Sequence, residues 1–228
     1  MLIKQITKKE AQRFFSKFEH LGNCGLGVWH FGAFSGDQLV SVVSFGPTSF
    51  NPRRSHLASI AKNYDIKIIQ LTRGGTRFDA KKNTASKALS LFFKEIKARF
   101  GNTIVVAYSD TKWNEIGTIY QASNFLYLGQ TNPKGQANYV INGRTLSGWT
   151  VRKKYHTRSM PKILSIDKDA KRVLLTPKHF YLYINTSKRI KRRVLKELQP
   201  SIEPYPKRND FDIGSMMEIW ESKNLVNN

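Results

Sequence analysis

A continuous apolar run, Thr103 to Tyr108 (TIVVAY), comes two residues after a segment whose apolar side chains Ala88, Leu89, Leu91, Phe92 and Ile96 recur at helical spacing and which stops at Gly101. The run has the length of a strand, and the helix, from about Thr84 to Phe100, leads into it from an earlier strand, Ile66 to Thr72. A strand–helix–strand unit is therefore fixed at the centre of the chain. Before it, Lys8 to His20 reads as a helix capped by Thr7 with Glu10 at capping-box spacing, and Gly22 to Gly27 ends it. Val28 to Ser35 and Leu39 to Gly46 form a hairpin across Gly36-Asp37, and Pro47 and Pro52 start a polar loop. After the run come a short helix, Asn114 to Ser123, and two strands, Phe125 to Leu128 and Tyr139 to Ile141. The order αββ, loop, βα, βα, ββ predicts an α/β (α+β) fold, a mixed central sheet flanked by helices.

Charge divides the chain. The formal net charge is +22, and residues 144 to 193 alone hold 15 basic and 2 acidic side chains. Such an excess calls for a polyanionic partner, and nucleic acid is the expected one. With 40% hydrophobic and 12% aromatic residues the chain is no disordered basic tail. Within the basic block, Arg144, Arg152, Lys153, Lys154, Arg158 and the run containing Arg189, Lys191, Arg192 and Arg193 alternate with Trp149, Tyr155, Phe180, Tyr181 and Tyr183. Cations neutralise phosphates, and flat rings stack on bases at about 1 to 3 kcal/mol each. Ser147 to Tyr155 and Ser159 to Leu164 suggest a helix-turn-helix, Lys178 to Asn185 a strand, and Pro200, Pro204 and Pro206 an extended tail. The expected organisation is an α/β domain over 1–143, a basic nucleic-acid-binding extension over 144–208 and a tail over 209–228.

The single cysteine, Cys24, excludes an internal disulfide and a Cys-based zinc site and fits a reducing cytoplasm. No secretory signal opens the chain, and no apolar run approaches the roughly 18 residues of a membrane helix. The five histidines lack the close pairings of zinc sites, so no metal is assigned. A cytoplasmic monomer without a stable protein partner is expected.

The element order resembles the GNAT acyltransferase fold, and Gly117-Thr118-Ile119-Tyr120 with Asn124-Phe125 and Gly129 matches that fold's pattern of a tyrosine on the last helix followed by a turn and a strand. The glycine-rich loop that opens the long helix in that fold reads Lys82-Asn83-Thr84-Ala85-Ser86 here, a helix N-terminus beside cations without the glycines. A narrower set of residues carries a closer resemblance: Leu71-Thr72-Arg73, Lys82-Asn83 with Ser86, Tyr108-Ser109-Asp110, Gly117 to Asn124, Lys178-His179 and Tyr205-Pro206-Lys207. Together these resemble the Mom family of bacteriophage DNA-modification proteins.

The resemblance implies an enzyme that adds a small carbamoylmethyl-type group to the exocyclic amine of adenine in double-stranded DNA and so shields the DNA from restriction. It implies Arg73, Ser86, Asp110 and Tyr120 as site residues, with His20 matching a family histidine. Gln70 and Ala85 stand where the family tends to have acidic residues. An acyl-CoA-like donor, acetyl-CoA by analogy with the fold, is the implied cofactor, held by Lys82, Asn83, Thr84 and Ser86.

The amine of adenine is a weak nucleophile, so a base is needed, and Asp110 at the carboxyl end of a strand is the candidate; its competing role is a helix cap or turn aspartate. The resemblance implies that Tyr120 protonates a leaving thiolate; its competing role is a core tyrosine. Arg73 forks a carboxylate or phosphate, or forms a structural ion pair. Ser86 orients the donor, acts as nucleophile, or is a helix-start hydroxyl. The base has to leave the duplex to react, with Trp149, Tyr155 or Tyr181 filling the gap or stacking on it. The alternatives are a non-catalytic DNA-binding protein on the same scaffold and an acyltransferase acting on RNA.

Overall fold

The computed structural model describes residues 1–48, 56–131 and 136–207. The chain forms two compact units, one of residues 1–109, 116–129 and 180 onward, the other of 110–115 and 130–179. The expected tail over 209–228 and the Pro52 loop residues lie outside the described residues. Among the described residues no helix is long and apolar enough to cross a membrane.

The first unit is built on a seven-stranded sheet of order β1-β2-β3-β4-β5-β10-β6. Its strands are β1 (Leu2–Gln5), β2 (Trp29–Ser35), β3 (Gln38–Gly46), β4 (Lys67–Thr76), β5 (Thr103–Asp110), β6 (Leu126–Gln130) and β10 (Lys178–Asn185). The β2–β3 and β3–β4 pairs are antiparallel and β4–β5 is parallel, so the sheet is mixed, as expected. Helix α1 (Lys8–Phe18) begins with the complete Thr7–Glu10 capping box and buries Ala11, Phe14 and Phe15. Helix α3 (Thr84–Phe100) packs Ala88, Leu89, Phe92, Phe93 and Ile96 with Val105 and Ala107 of β5. The alternate β5 residues, Ile104 and Val106, join a second core with helices α2 (His56–Asn63) and α7 (Lys188–Leu198). Both faces of β5 are thus covered, which is why its sequence shows no polar alternation.

Several elements depart from the sequence reading. The polar-loop region ends in α2, which buries Leu57, Ile60 and Ala61. The Lys188–Arg193 run opens α7, whose Val194 and Leu198 are buried while Arg189, Arg192 and Arg193 are exposed. The expected helix from Asn114 to Ser123 shrinks to α4 (Thr118–Gln121), because Asn114 and Gly117 both take left-handed backbone angles that interrupt a helix.

The second unit holds a three-stranded antiparallel sheet of order β8-β7-β9, from β7 (Ala137–Ile141), β8 (Arg144–Ser147) and β9 (Lys171–Leu174). Helices α5 (Gly148–Tyr155) and α6 (Met160–Leu164) bury Val151 and Ile163 against Ala137, Tyr139, Ile141 and Ala170. The basic block of the sequence is divided: Arg144, Trp149, Arg152, Lys153, Lys154 and Arg158 belong to this unit, whereas β10 from Phe180 onward and α7 belong to the first.

Candidate functional site

Strands β4 and β5 pair over only four residues, Lys67–Gln70 against Thr103–Val106, although β4 runs on to Thr76. Beyond Gln70, β4 pairs with β3 and, among the described residues, with no other strand, so its edge toward β5 is open there. Within this stretch the β3–β4 register shifts: Ser44 faces Arg73 and Phe45 faces Leu71, leaving Thr72 as an extra residue. Such a bulge re-aims a neighbouring side chain. Thr72 Oγ1 secures it by donating to the Ser44 carbonyl at 3.0 Å.

Arg73 turns toward the loop after α1. Its Nη1 donates to the Thr72 carbonyl at 2.7 Å and its Nη2 to Asn23 Oδ1 at 3.3 Å. The guanidinium lies against Gly25, where a Cβ would stand 3.3 Å from Cζ. Nε of Arg73 is buried and has no hydrogen-bond partner among the described residues. A buried donor of a charged group without an acceptor costs free energy, about 1 to 3 kcal/mol or more, unless a ligand supplies one.

The same loop carries Glu19 and His20. Glu19 Oε1 lies 3.3 Å from His20 Nδ1, and Oε2 accepts from the backbone N–H groups of Leu21 and Gly22, each at 2.9 Å. Burial pushes the Glu19 carboxyl above its usual range, and the nearby charges of His20 and Arg73 only partly offset this. Glu19 was not among the residues singled out from the sequence; its adjacency to His20 was the only local signal. Cys24, buried in the same loop, has its thiol raised by desolvation and plays a packing role.

Ser86 donates to the Asn83 carbonyl at 3.2 Å, a helix-start contact. Asn83 itself has φ +64° and makes no side-chain cap. Asparagine tolerates this left-handed conformation better than most residues, so the turn a glycine would make is present without one. The start of α3 therefore offers N–H groups beside exposed Lys81 and Lys82.

Tyr120 is partly buried, its ring 5.2 Å from that of Tyr181 and 5.1 Å from that of Phe125. Tyr181 is wholly buried and its hydroxyl donates to the Ile116 carbonyl. It cannot stack on an extruded base, which corrects the expectation for that residue; Trp149, 66% exposed, remains available.

In the second unit Asp110 Oδ2 lies 3.2 Å from Lys178 Nζ, and Oδ1 accepts from Thr176 Oγ1 and, at 3.0 Å, from the Lys112 N–H. Asp110 thus caps the 3-10 turn Thr111–Trp113 rather than a helix at Asn114. Lys178, noted in the sequence only as part of a motif, is its charge partner. On α5, Lys153 Nζ sits 5.3 Å from the Trp149 ring centroid, while Arg152, Lys153 and Lys154 are exposed. Arg158 is engaged, its Nε donating to the Gly148 carbonyl at 2.7 Å. In the first unit Lys191 covers the Tyr183 ring at 5.7 Å.

These features define an α/β protein with an arginine-centred polar site at an open strand edge and two cationic surfaces. The chain belongs to the Mom protein family, whose model matches residues 1–207. It is 28% identical over 190 residues to the methylcarbamoylase mom of Escherichia phage Mu, covering 78% of this chain and 71% of that protein. Among solved structures it is similar to an N-acetyltransferase from Staphylococcus aureus Mu50 (14% identity, 81% of this chain and 98% of that one, TM-score 0.45). It is also similar to an aminoglycoside 6'-acetyltransferase type Ii (10% identity, 82% and 99%, TM-score 0.44).

Proposed function

We propose that this chain is a transferase that attaches a small acyl or carbamoylmethyl-type group to the exocyclic amine of adenine in double-stranded DNA. The observation that carries the reading is the Nε of Arg73, buried and without a hydrogen-bond partner among the described residues, on the stretch of β4 beyond its pairing with β5, a seat for an anionic or carbonyl oxygen in a chain of the Mom family. The related phage Mu protein is named a methylcarbamoylase.

In this reading Asp110 takes the proton from the amine, whose lone pair is otherwise delocalised into the ring, and a well-placed base contributes about 100- to 10,000-fold in rate. Tyr120 returns a proton to the leaving group. Arg73 orients the transferred group, with the paired Glu19 and His20 in the loop its guanidinium meets. Lys82, Asn83, Thr84 and Ser86 fit a phosphate-bearing acyl-CoA-like donor, since α3 begins after the left-handed Asn83 with two exposed lysines beside its N-terminus. Such a donor, when bound, supplies an activated acyl group. Arg144, Trp149, Arg152, Lys153, Lys154 and Arg158 on one unit, and Arg189, Lys191, Arg192 and Arg193 on the other, neutralise DNA phosphates. Trp149 fills the space left by the flipped base. An activity on DNA puts the protein in the cytoplasm, that of the host cell if the chain is phage-encoded.

The test is plasmid protection. Plasmid from cells expressing the protein is stripped of protein and cut with restriction enzymes whose sites contain adenine. Resistance that survives deproteinisation, and disappears with Asp110→Asn, supports covalent transfer; Asn keeps the turn cap and removes the base. Protection lost on deproteinisation would mean a non-catalytic DNA binder, and unprotected plasmid with modified RNA would mean an RNA acyltransferase.

A further inference from the structure

The second unit contains a cleft of about 270 Å³ lined by Ile141, Asn142, Arg144, Leu146, Lys154 and Tyr155. Its volume falls just below the roughly 300 to 1,000 Å³ typical of small-ligand sites, so nothing larger than one nucleotide suits it. Three pieces of local structure shape it. Strand β7 ends at buried Ile141, and Asn142 with φ +49° turns the chain into β8, which presents Arg144 and Leu146. Helix α5 ends at Tyr155 because His156 takes a left-handed φ of +54°, and this leaves Lys154 and the Tyr155 ring on the cleft wall.

The wall chemistry is two-sided. Half-buried Leu146 and Tyr155, backed by buried Ile141, make a surface on which a planar heterocycle can lie. Arg144 and Lys154 are exposed, and neither is ion-paired among the described residues; Lys154 Nζ is 5.0 Å from the Tyr155 ring centroid. The carboxylate nearest along the hydrogen-bond network, Asp167, is occupied by the N–H groups of Asn142 and Asp169 and does not line the cleft. An apolar floor with a ring, and two cations with no lining carboxylate, matches a base joined to a phosphate.

We propose that this cleft binds one nucleotide, with its base against Tyr155 and Leu146 and its phosphate on Arg144 and Lys154. That the nucleotide comes from a DNA strand rests on the function proposed above; a free nucleoside monophosphate has the same chemistry. The cleft then holds an unpaired nucleotide on the second unit, a role separate from non-specific phosphate neutralisation by the outer face of α5.

The test is an NMR titration of the full-length ¹⁵N-labelled protein with dAMP, deoxyadenosine and inorganic phosphate, following the amides of Asn142, Arg144, Lys154 and Tyr155. Saturable shifts with dAMP are expected, at a Kd about tenfold below that of deoxyadenosine, the phosphate being held by charge-assisted bonds. Arg144→Gln with Lys154→Gln, both exposed and so without consequence for folding, should raise the dAMP Kd about tenfold or more. A single-stranded oligodeoxynucleotide that displaces dAMP identifies the strand as source; one that leaves dAMP bound identifies the free nucleotide. No saturable shift, or inorganic phosphate acting as strongly as dAMP, overturns the site. If dAMP occupies the cleft of a protein that leaves DNA unmodified, the transfer reaction fails and the site stands; the reverse pattern removes the site alone.

Discussion

Replacing Gly117 by alanine tests how the Tyr120 loop is held. Gly117 has φ +67°, and a methyl there would lie 2.5 Å from Cε2 and 2.8 Å from Cζ of Tyr181, and 3.0 Å from Cδ2 of Tyr120. Tyr181 has no room to retreat. It is 0% exposed, its hydroxyl is bonded to the Ile116 carbonyl, and its ring is packed 5.2 Å from those of both Tyr120 and Tyr127. Left-handed backbone costs a non-glycine residue about 1 to 2 kcal/mol. Overpacking a filled core adds about 1 to 3 kcal/mol, so Gly117→Ala should lose about 2 to 5 kcal/mol in total. Gly36 separates the two contributions, because it has φ +59° with nothing within 4 Å of the added methyl. Gly36→Ala should therefore lose only the backbone part, about 1 to 2 kcal/mol. Urea unfolding of both variants, with unchanged m-values, measures the difference directly. A Gly117→Ala protein as stable as Gly36→Ala would refute the packing described around Tyr120 and Tyr181.

Glu19→Gln probes the raised carboxyl. In the wild type the folded state holds this proton to higher pH than the unfolded state does, so the contribution of Glu19 to stability falls as pH rises from the unfolded carboxylate value through the raised one. Relative to wild type, the Gln variant should gain stability between acid and neutral pH in denaturant titrations; a pH-independent difference would contradict the raised value. Arg73→Lys should lower the yield of modified DNA by at least about tenfold, since lysine lacks the planar fork and its Nε–H, and unchanged plasmid protection would argue against the role given to Arg73. Removing Arg152 and Lys153 together should reduce the salt slope of DNA binding by up to about 1.8, at roughly 0.9 per phosphate contact, measured by fluorescence anisotropy across salt concentrations; an unchanged slope would take the α5 surface out of the interface.

The parts of the fold that were legible in the sequence are those where one period dominates. Helix α3 and strand β10 lie where the sequence places them, Thr84–Phe100 and Lys178–Asn185, because their apolar residues repeat without interruption. Strand β9 escaped notice because all four of its residues are exposed, so no alternation marks it. The α7 stripe of Ile190, Val194 and Leu198 was present but hidden by six cations among eleven residues. At the candidate site Arg73 and Tyr120 stood out through their motifs. Glu19 did not, because its raised carboxyl comes from burial in a loop, which leaves no local pattern. Tyr181 was misread for the converse reason: a tyrosine inside a basic block looks like a stacking ring until its depth in the sheet is known.

Mass spectrometry of nucleosides digested from plasmid DNA tests the central claim most directly. Expression of the wild type should yield a deoxyadenosine species of increased mass, with the added mass on the base fragment, and Asp110→Asn should abolish it. DNA nucleosides of unaltered mass from cells holding folded, DNA-binding wild-type protein would contradict the account.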